Sequence, residues 1–316
     1  MVRNTEKKYE PAIALIFTPL LLIMLFIVGI FIKGYYLRLL TSIYMFIVVA
    51  QAINLMMGFM GYIPFGQAAF FGVGGYVAGL LMNRGFPLWL TFAAVVIIVS
   101  IFCVVFGAPL LRLRGAYFAV GTSAFSAAMS AIALNASRLT GGAGGLSFPI
   151  PPLAPEALYR IFYYIMLSLL VVTFITITII SKTRIGYAIR AIKADEDAAA
   201  TLGINTTLYK VLTWAISASF TALAGAFYGW WMTYIHPLEV FNINLAVVSI
   251  VSVLLGGSGT LFGPIIGGAV IQTISEVAWS KFLEYHYLIL GTLIILIVLF
   301  VPQGLMTRFR SGAHGK

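Results

Sequence analysis

The sequence predicts an all-α polytopic membrane protein with about ten transmembrane helices, and three observations predict it. Of 316 residues, 61% are hydrophobic and 9% charged, whereas a soluble globule needs about 25% charged residues to cover its surface. The apolar residues fall in uncharged runs long enough to cross a bilayer. Residues 12–32 carry no charge, and at about 1.5 Å per residue they cover the roughly 30 Å of a hydrocarbon core. The charges gather between such runs, above all in 182–210, KTRIGYAIRAIKADEDAAATLGINTTLYK.

Taken in order, the runs are 12–32, 39–57, 64–82, 89–111, 117–134, 159–181, 211–234, 245–262, 264–280 and 286–302. The first is too long for the core of a cleaved signal peptide, about 7 to 15 residues, and is read as an anchor. Gly256, Gly257, Gly259, Gly263 and Pro264 interrupt the eighth and ninth, which leaves a broken or re-entrant element as the alternative to two full crossings. The whole chain, 1–316, reads as one membrane domain with 182–210 as a loop within it.

An even number of crossings puts both termini on one side. With 13 of the 19 basic residues on the side of the termini and of 182–210, the positive-inside rule makes that side cytoplasmic. Five crossings precede residue 159 and five follow, so any internal repeat is inverted. Each half holds a glycine-rich stretch, 61–81 and 254–271.

The net charge of +10 does not indicate nucleic acid, because the basic residues are scattered at span ends. Cys103, the one cysteine, lies inside a span and reads as a small buried hydrophobe. HExxH, nucleophile-elbow and phosphate-loop motifs are absent from the sequence, so it offers no catalytic or metal-ligating residue and no cofactor site of its own. Apart from Glu276, near the outer end of the ninth, the spans hold no charge well away from their ends, and Glu276 reads as a carboxylate paired with Lys281 or snorkelling to the interface. His236, His286 and His314 lie at span ends or in the tail, a poor basis for a proton relay.

Gly75 with Gly79, Gly225 with Gly229, and Gly259 with Gly263 and Gly267 repeat at four-residue spacing, which puts each set on one helix face. They read either as tight helix packing or as the backbone wall of a conduit in which Gln51, Asn54 and Gln67 bond a polar solute. Outside, 139–155, LTGGAGGLSFPIPPLAP, reads as a cap over the mouth of such a path or as a plain connection.

Inside 182–210, Ile185, Ile189 and Ile192 recur on one helical face with Arg190 and Lys193 elsewhere on the surface. Asp195 is placed to cap a second short helix through Ala198–Leu202, and Gly203 to stop it. The next crossing starts at Thr206 or Thr207. The apolar edge and the acidic run Asp195, Glu196, Asp197 suit insertion into a groove of a soluble partner. A linker lying on the headgroups is disfavoured, since three carboxylates are repelled by anionic lipid.

Four stretches, GYIPFGQAAFFGVGGYVAGLL (61–81), LTGGAGGL (139–146), GYAIRAIKADEDAAATLGI (186–204) and LLGGSGTLFGPIIGGAVI (254–271), resemble the permease subunits of branched-chain amino acid ABC importers, of the LivM-like rather than the LivH-like kind. The resemblance implies an ABC importer permease fold and a complex with a LivH-like second permease, two cytoplasmic ATPases that bind the ATP, and an extracytoplasmic binding protein. It puts Arg190, Lys193, Asp195, Glu196, Ala198 and Gly203, with Asp197 among them, in the loop that couples to the ATPases. Gly66, Gln67, Gly72 and Gly75 fall in the family's glycine-rich membrane motif. Pro64 stands where Ser is typical and Gln67 where His is typical, which opens the solute to urea, short amides or other amino acids besides leucine, isoleucine and valine. The rival expectation is a stand-alone secondary transporter or channel, in which broken helices hold a sodium ion without a buried carboxylate.

Overall fold

A computed structural model describes residues 24–32 and 34–281, with Leu288, Gly291, Thr292, Ile295 and Leu299. Most of the predicted spans 12–32 and 286–302 therefore lies outside the described residues. The described residues form a helical bundle in which six helices are long and apolar enough to cross a membrane. This is a multi-pass membrane protein.

Helix α1 covers 24–31 and α2 covers Tyr35–Asn54, continuing as a π-helical turn, Leu55–Met60. Gly61 then closes the helix in the left-handed region at φ 86°, a conformation that costs glycine nothing. The predicted span 64–82 is shorter as a helix. Residues 61–66 are not helical, because Pro64 has no N–H to give and the chain has just turned at Gly61, so α3 begins only at Gln67 and runs to Asn83. Helix α4, Leu88–Phe102, extends through a second π-helical turn, Cys103–Gly107, to Leu110. Helix α5 is Ala116–Asn135 and α6 is Pro155–Lys182, with Pro155 and Glu156 in its first turn and Lys182 in its last, as the helix dipole favours.

Two short helices follow, α7 (Arg184–Ala194) and α8 (Glu196–Thr201), then the long α9 (Thr206–Met232). The predicted eighth span, 245–262, is helical only over α10, Asn244–Gly256. With the short helix Pro237–Val240 before it, the apolar stretch Pro237–Gly256 is 20 residues long, and at about 1.5 Å per residue it covers roughly 30 Å, the thickness of a hydrocarbon core. The turn Gly257–Phe262 joins it to α11, Gly263–Lys281.

Both α2 and α9 lie at the centre, and α4, α5 and α6 leave most of their surface outside. The α3–α9 contact is backbone against backbone. A Cβ on Gly74 would strike the carbonyl of Ala222, and one on Gly225 the carbonyl of Phe71, so the two backbones touch directly where lipid offers no hydrophobic drive to hold helices together.

Residues 139–155 connect α5 to α6 at the end opposite α7 and α8 and are held to the chain after α3 and α9. Leu146 and Ser147 (β1) pair antiparallel with Ile235 and Tyr234 (β2), the Asn83 Nδ2 donates to the Ser147 carbonyl at 2.8 Å, and the Tyr234 hydroxyl donates to the Gly144 carbonyl at 3.1 Å. Cys103 is buried, as its sequence context predicts. Of the two expectations for Glu276, the ion pair with Lys281 does not form: the ion pairs among the described residues all involve Glu196 or Asp197. Five residues along a helix put two side chains about 140° apart, whereas three or four bring them together.

Candidate functional site: a clamp between the polar loop and the broken helices

The sequence 182–210 folds as its spacing predicts. Ile189 and Ile192 are buried and Ile185 half-buried. The Asp195 carboxylate accepts from the backbone N–H of Asp197 and of Ala198 at 2.9 and 3.0 Å, the capping that starts α8. Gly203 follows at φ 84°, and Asn205 caps α9 through the Leu208 N–H.

The direction of the apolar edge differs from the expectation. Ile189, Ile192 and Ala199 pack into the chain's own bundle, because a helix this short gains little by itself and is held by burying that face. What faces outward is a different apolar set, Tyr187, Leu202 and Leu208, at the rim of a cavity of about 560 Å³ that also touches Ala191, Ile204 and Tyr209.

The acidic run is engaged internally. Glu196 accepts from the Lys210 ammonium at 2.6 Å and from the Tyr62 hydroxyl at 2.5 Å, with the Arg114 Nε at 3.7 Å. Asp197 takes both terminal nitrogens of Arg114, at 2.9 and 3.0 Å. Lys210 is 5% exposed and also donates to the Leu111 carbonyl at 3.0 Å, so its charge is fully met inside the protein. The Lys193 ammonium reaches across to the Gly58 carbonyl at 2.6 Å, an acceptor that belongs to the π-helical turn at the end of α2. Arg190 donates to the Ser181 carbonyl at 2.9 Å and lies over the Tyr187 ring at 4.9 Å, tying α7 to the end of α6.

These bonds continue inward. The Asn54 Oδ1 accepts from the Gly259 N–H at 2.9 Å and its Nδ2 donates to the Thr260 carbonyl at 2.8 Å, while the Gln51 Nε2 donates to the Leu261 carbonyl at 2.7 Å. The polar loop thus bonds directly to the interruption after α2, and that helix in turn grips the turn between α10 and α11.

The sequence pattern that defines the branched-chain amino acid transport system permease component family matches residues 35–298. The chain belongs to this family. The permease is 28% identical over 297 residues to the high-affinity branched-chain amino acid transport system permease protein LivM of Salmonella typhimurium, a match that covers 85% of this chain and 69% of the relative. It is likewise 28% identical over 298 residues to LivM of Escherichia coli, covering 86% and 69%. To the permease protein LivH of Escherichia coli it is 34% identical over 131 residues, 41% of this chain and 42% of that one. No solved structure matches it.

Of the residues expected along a solute path, Gln51, Asn54 and Gln67 are fully buried. Gln67 stands at the start of α3 with its Nε2 donating to the hydroxyls of Ser217 and Thr221 on α9, at 2.8 and 2.7 Å, and its Oε1 has no partner. Gly66 abuts Thr122, Gly72 the Phe241 ring, and Gly75 the Gly225 carbonyl. In this conformation all six sit at helix contacts within the permease.

Lys210, Tyr62, Arg114 and Gly58 were not singled out by sequence reasoning. Lys210 had a signal: a lysine in the second turn of an apolar helix is held at that depth by a carboxylate, and the nearest acids are those of 195–197.

Burial pushes the Glu196 carboxyl up, but hydrogen bonds from Lys210 and Tyr62 and the charges of Lys210 and Arg114 outweigh it and hold the group below the usual carboxylate range. Asp197 is held low by its hydrogen bonds to Arg114. A carboxylate with a depressed folded value stabilises the fold fully above its ordinary value, about 4.3 for Glu, and loses that contribution as pH falls through the lowered value. The melting temperature of the detergent-purified permease should therefore stay level from about pH 8 to 5 and fall below about pH 4. In Glu196→Gln the acid-side fall should shrink, and an unchanged profile in that variant would remove Glu196 as its source.

Proposed function

We propose that this chain is the non-catalytic membrane subunit of an ABC importer that moves branched-chain or related small amino acids across the inner membrane of a prokaryote, its 182–210 loop receiving the force from two cytoplasmic ATPases. A LivH-like second permease and an extracytoplasmic binding protein complete the complex, and both termini face the cytoplasm. The observation that carries this reading is the direct bonding of the loop to the interrupted helices, Lys193 to Gly58 and Glu196 to Tyr62. A push on α7 and α8 therefore reaches the breaks in α2–α3 and α10–α11, where backbone can change direction without tearing a helix.

Ten crossings in an inverted repeat fit the same residues. Met60-Gly61-Tyr62-Ile63 after α2 and Met232-Thr233-Tyr234-Ile235 after α9 follow one pattern, each with its second residue in the left-handed region, φ 86° and 60°. They lie at opposite ends of the bundle: Tyr62 bonds the polar loop and Tyr234 the 139–155 connection. A solute path along Gln51, Asn54, Gly66, Gln67, Gly72 and Gly75 opens only if α3 and α9 part, and the unpartnered Oε1 atoms of Gln51 and Gln67 are polar atoms along it.

Reconstitution tests the reading. Uptake of leucine, isoleucine or valine should require the ATPases and ATP, and full-rate or sodium-driven uptake by the lone chain would overturn it. Because Asp195, Glu196 and Asp197 hold the loop together from within, the docking surface is better probed at the exposed Leu202 and Tyr187. Leu202→Glu with Tyr187→Ala should lower ATPase co-purification at least about tenfold, as loss of an apolar anchor does, with melting unchanged. Undiminished co-purification would count against docking at that face.

A further inference from the structure

A second cavity, about 630 Å³, opens where the end of α4 meets the start of α9, lined by Val105, Ala108, Pro109 and Leu111 on one side and by Arg112, Arg114, Thr206, Thr207, Lys210 and Glu196 on the other. It lies at the clamp end of the bundle, yet its apolar wall belongs to the membrane surface. The α4 face leading to it exposes Ile97, Ile98, Ile101, Val104 and Val105, large aliphatic side chains that suit acyl chains. The polar side carries an excess of positive charge. Lys210 and Arg114 are met by Glu196 and Asp197, but among the described residues Arg112 has no carboxylate partner and is exposed. The hydroxyls of Thr206 and Thr207 line the same space.

We propose that this cavity is a binding site for the headgroup of an anionic phospholipid, with the phosphate against Arg112, Thr206 and Thr207 and the acyl chains along the outer face of α4. Each group in it has a use in that arrangement. A guanidinium forks two donors onto phosphate oxygens, and the threonine hydroxyls supply further donors. Glu196 is fully engaged by Lys210 and Tyr62, so the cavity holds no free carboxylate for the quaternary amine of a zwitterionic lipid. The continuous apolar wall favours a lipid over free phosphate, which gains nothing from it. Basic pockets between helices at the membrane surface are the recurrent form of such sites. Bound lipid would sit one side chain away from the Arg114–Asp197 pair and so next to the polar loop. The inference rests on the membrane-spanning fold alone and stands or falls independently of the coupling role proposed above.

The test is lipid retention by the full chain, measured by native mass spectrometry with phosphatidylglycerol, phosphatidylcholine and excess inorganic phosphate. Phosphatidylglycerol should be retained in preference to phosphatidylcholine and should survive the phosphate. Each basic charge at a membrane surface is worth about fivefold in affinity, so Arg112→Gln should weaken phosphatidylglycerol retention about fivefold and Arg112→Glu, which changes two charges, about 25-fold. Lys182→Glu, at the exposed end of α6 and away from the cavity, should change it less than about twofold. Equal retention of the two lipids, equal loss in Arg112→Glu and Lys182→Glu, or displacement of the lipid by inorganic phosphate would each overturn the proposal. Arg112 is exposed and makes no ion pair among the described residues, so its replacement leaves the fold intact, which the melting temperature of each variant checks.

Discussion

Glu196→Gln should destabilise the permease by about 3 kcal/mol, because it leaves the Lys210 ammonium buried without a counter-charge. In the folded chain that ammonium is 5% exposed and bonds Glu196, the Leu111 carbonyl and Tyr62. The variant keeps the shape of the side chain but removes its charge and one of the two acceptor oxygens that Lys210 and Tyr62 use. Lys210→Met alone should cost less, since Glu196 keeps Tyr62 and Arg114 as partners. The double variant Glu196→Gln, Lys210→Met should recover most of the loss, because with Lys210 also replaced no buried charge is left without a counter-charge. Denaturant or thermal unfolding in detergent measures all three. A loss below about 1 kcal/mol for Glu196→Gln, the range of an exposed pair, would show that Lys210 reaches water and that the clamp is weaker than its geometry. Under the proposed function the same variant should also reduce ATP-driven uptake, and the double variant should regain stability without regaining uptake if the charge itself transmits the push.

Gly225→Val is expected to be at least as damaging. A Cβ on Gly225 would overlap the Phe71 carbonyl, and one on Gly74 the Ala222 carbonyl. Neither obstacle is a flexible side chain that can swing aside, so α3 and α9 must separate. Overpacking a core usually costs 1–3 kcal/mol, and separation of the two central backbones should exceed that, to the point of little folded protein. Gly144→Ala is the control: open space surrounds its Cβ position and its φ is not positive, so its melting should match the parent. If Gly225→Val melts like the parent, α3 and α9 do not meet backbone to backbone.

Much of the polar loop was legible in the sequence. The spacing of Ile185, Ile189 and Ile192, the cap at Asp195 and the stop at Gly203 are local facts, decided by residues within a few positions of one another, and the structure repeats them. The spans from 89 to 234 were read to within a few residues for the same reason: an uncharged run in a bilayer satisfies its backbone only as a helix. The breaks were less legible. That α3 starts at Gln67 rather than at 64 depends on the π-helical turn before Gly61, and π turns leave no clear pattern in sequence.

The sequence by itself determined that this chain lives in a membrane, where the long apolar helices between 88 and 232 run, to which family it belongs, and that one charged loop stands apart from the apolar rest. Only the tertiary structure decided what that loop's charges do. Composition shows three carboxylates in a row, and they could equally have faced a partner. Asp195 caps its own helix, whereas the partners of Glu196 and Asp197, namely Arg114, Lys210 and Tyr62, lie between 14 and 134 residues away in sequence, brought beside them by the packing of α4, α9 and the chain after α2. A charge pair is set by distance in space and by the exclusion of water, and neither quantity is written in the order of residues along the chain.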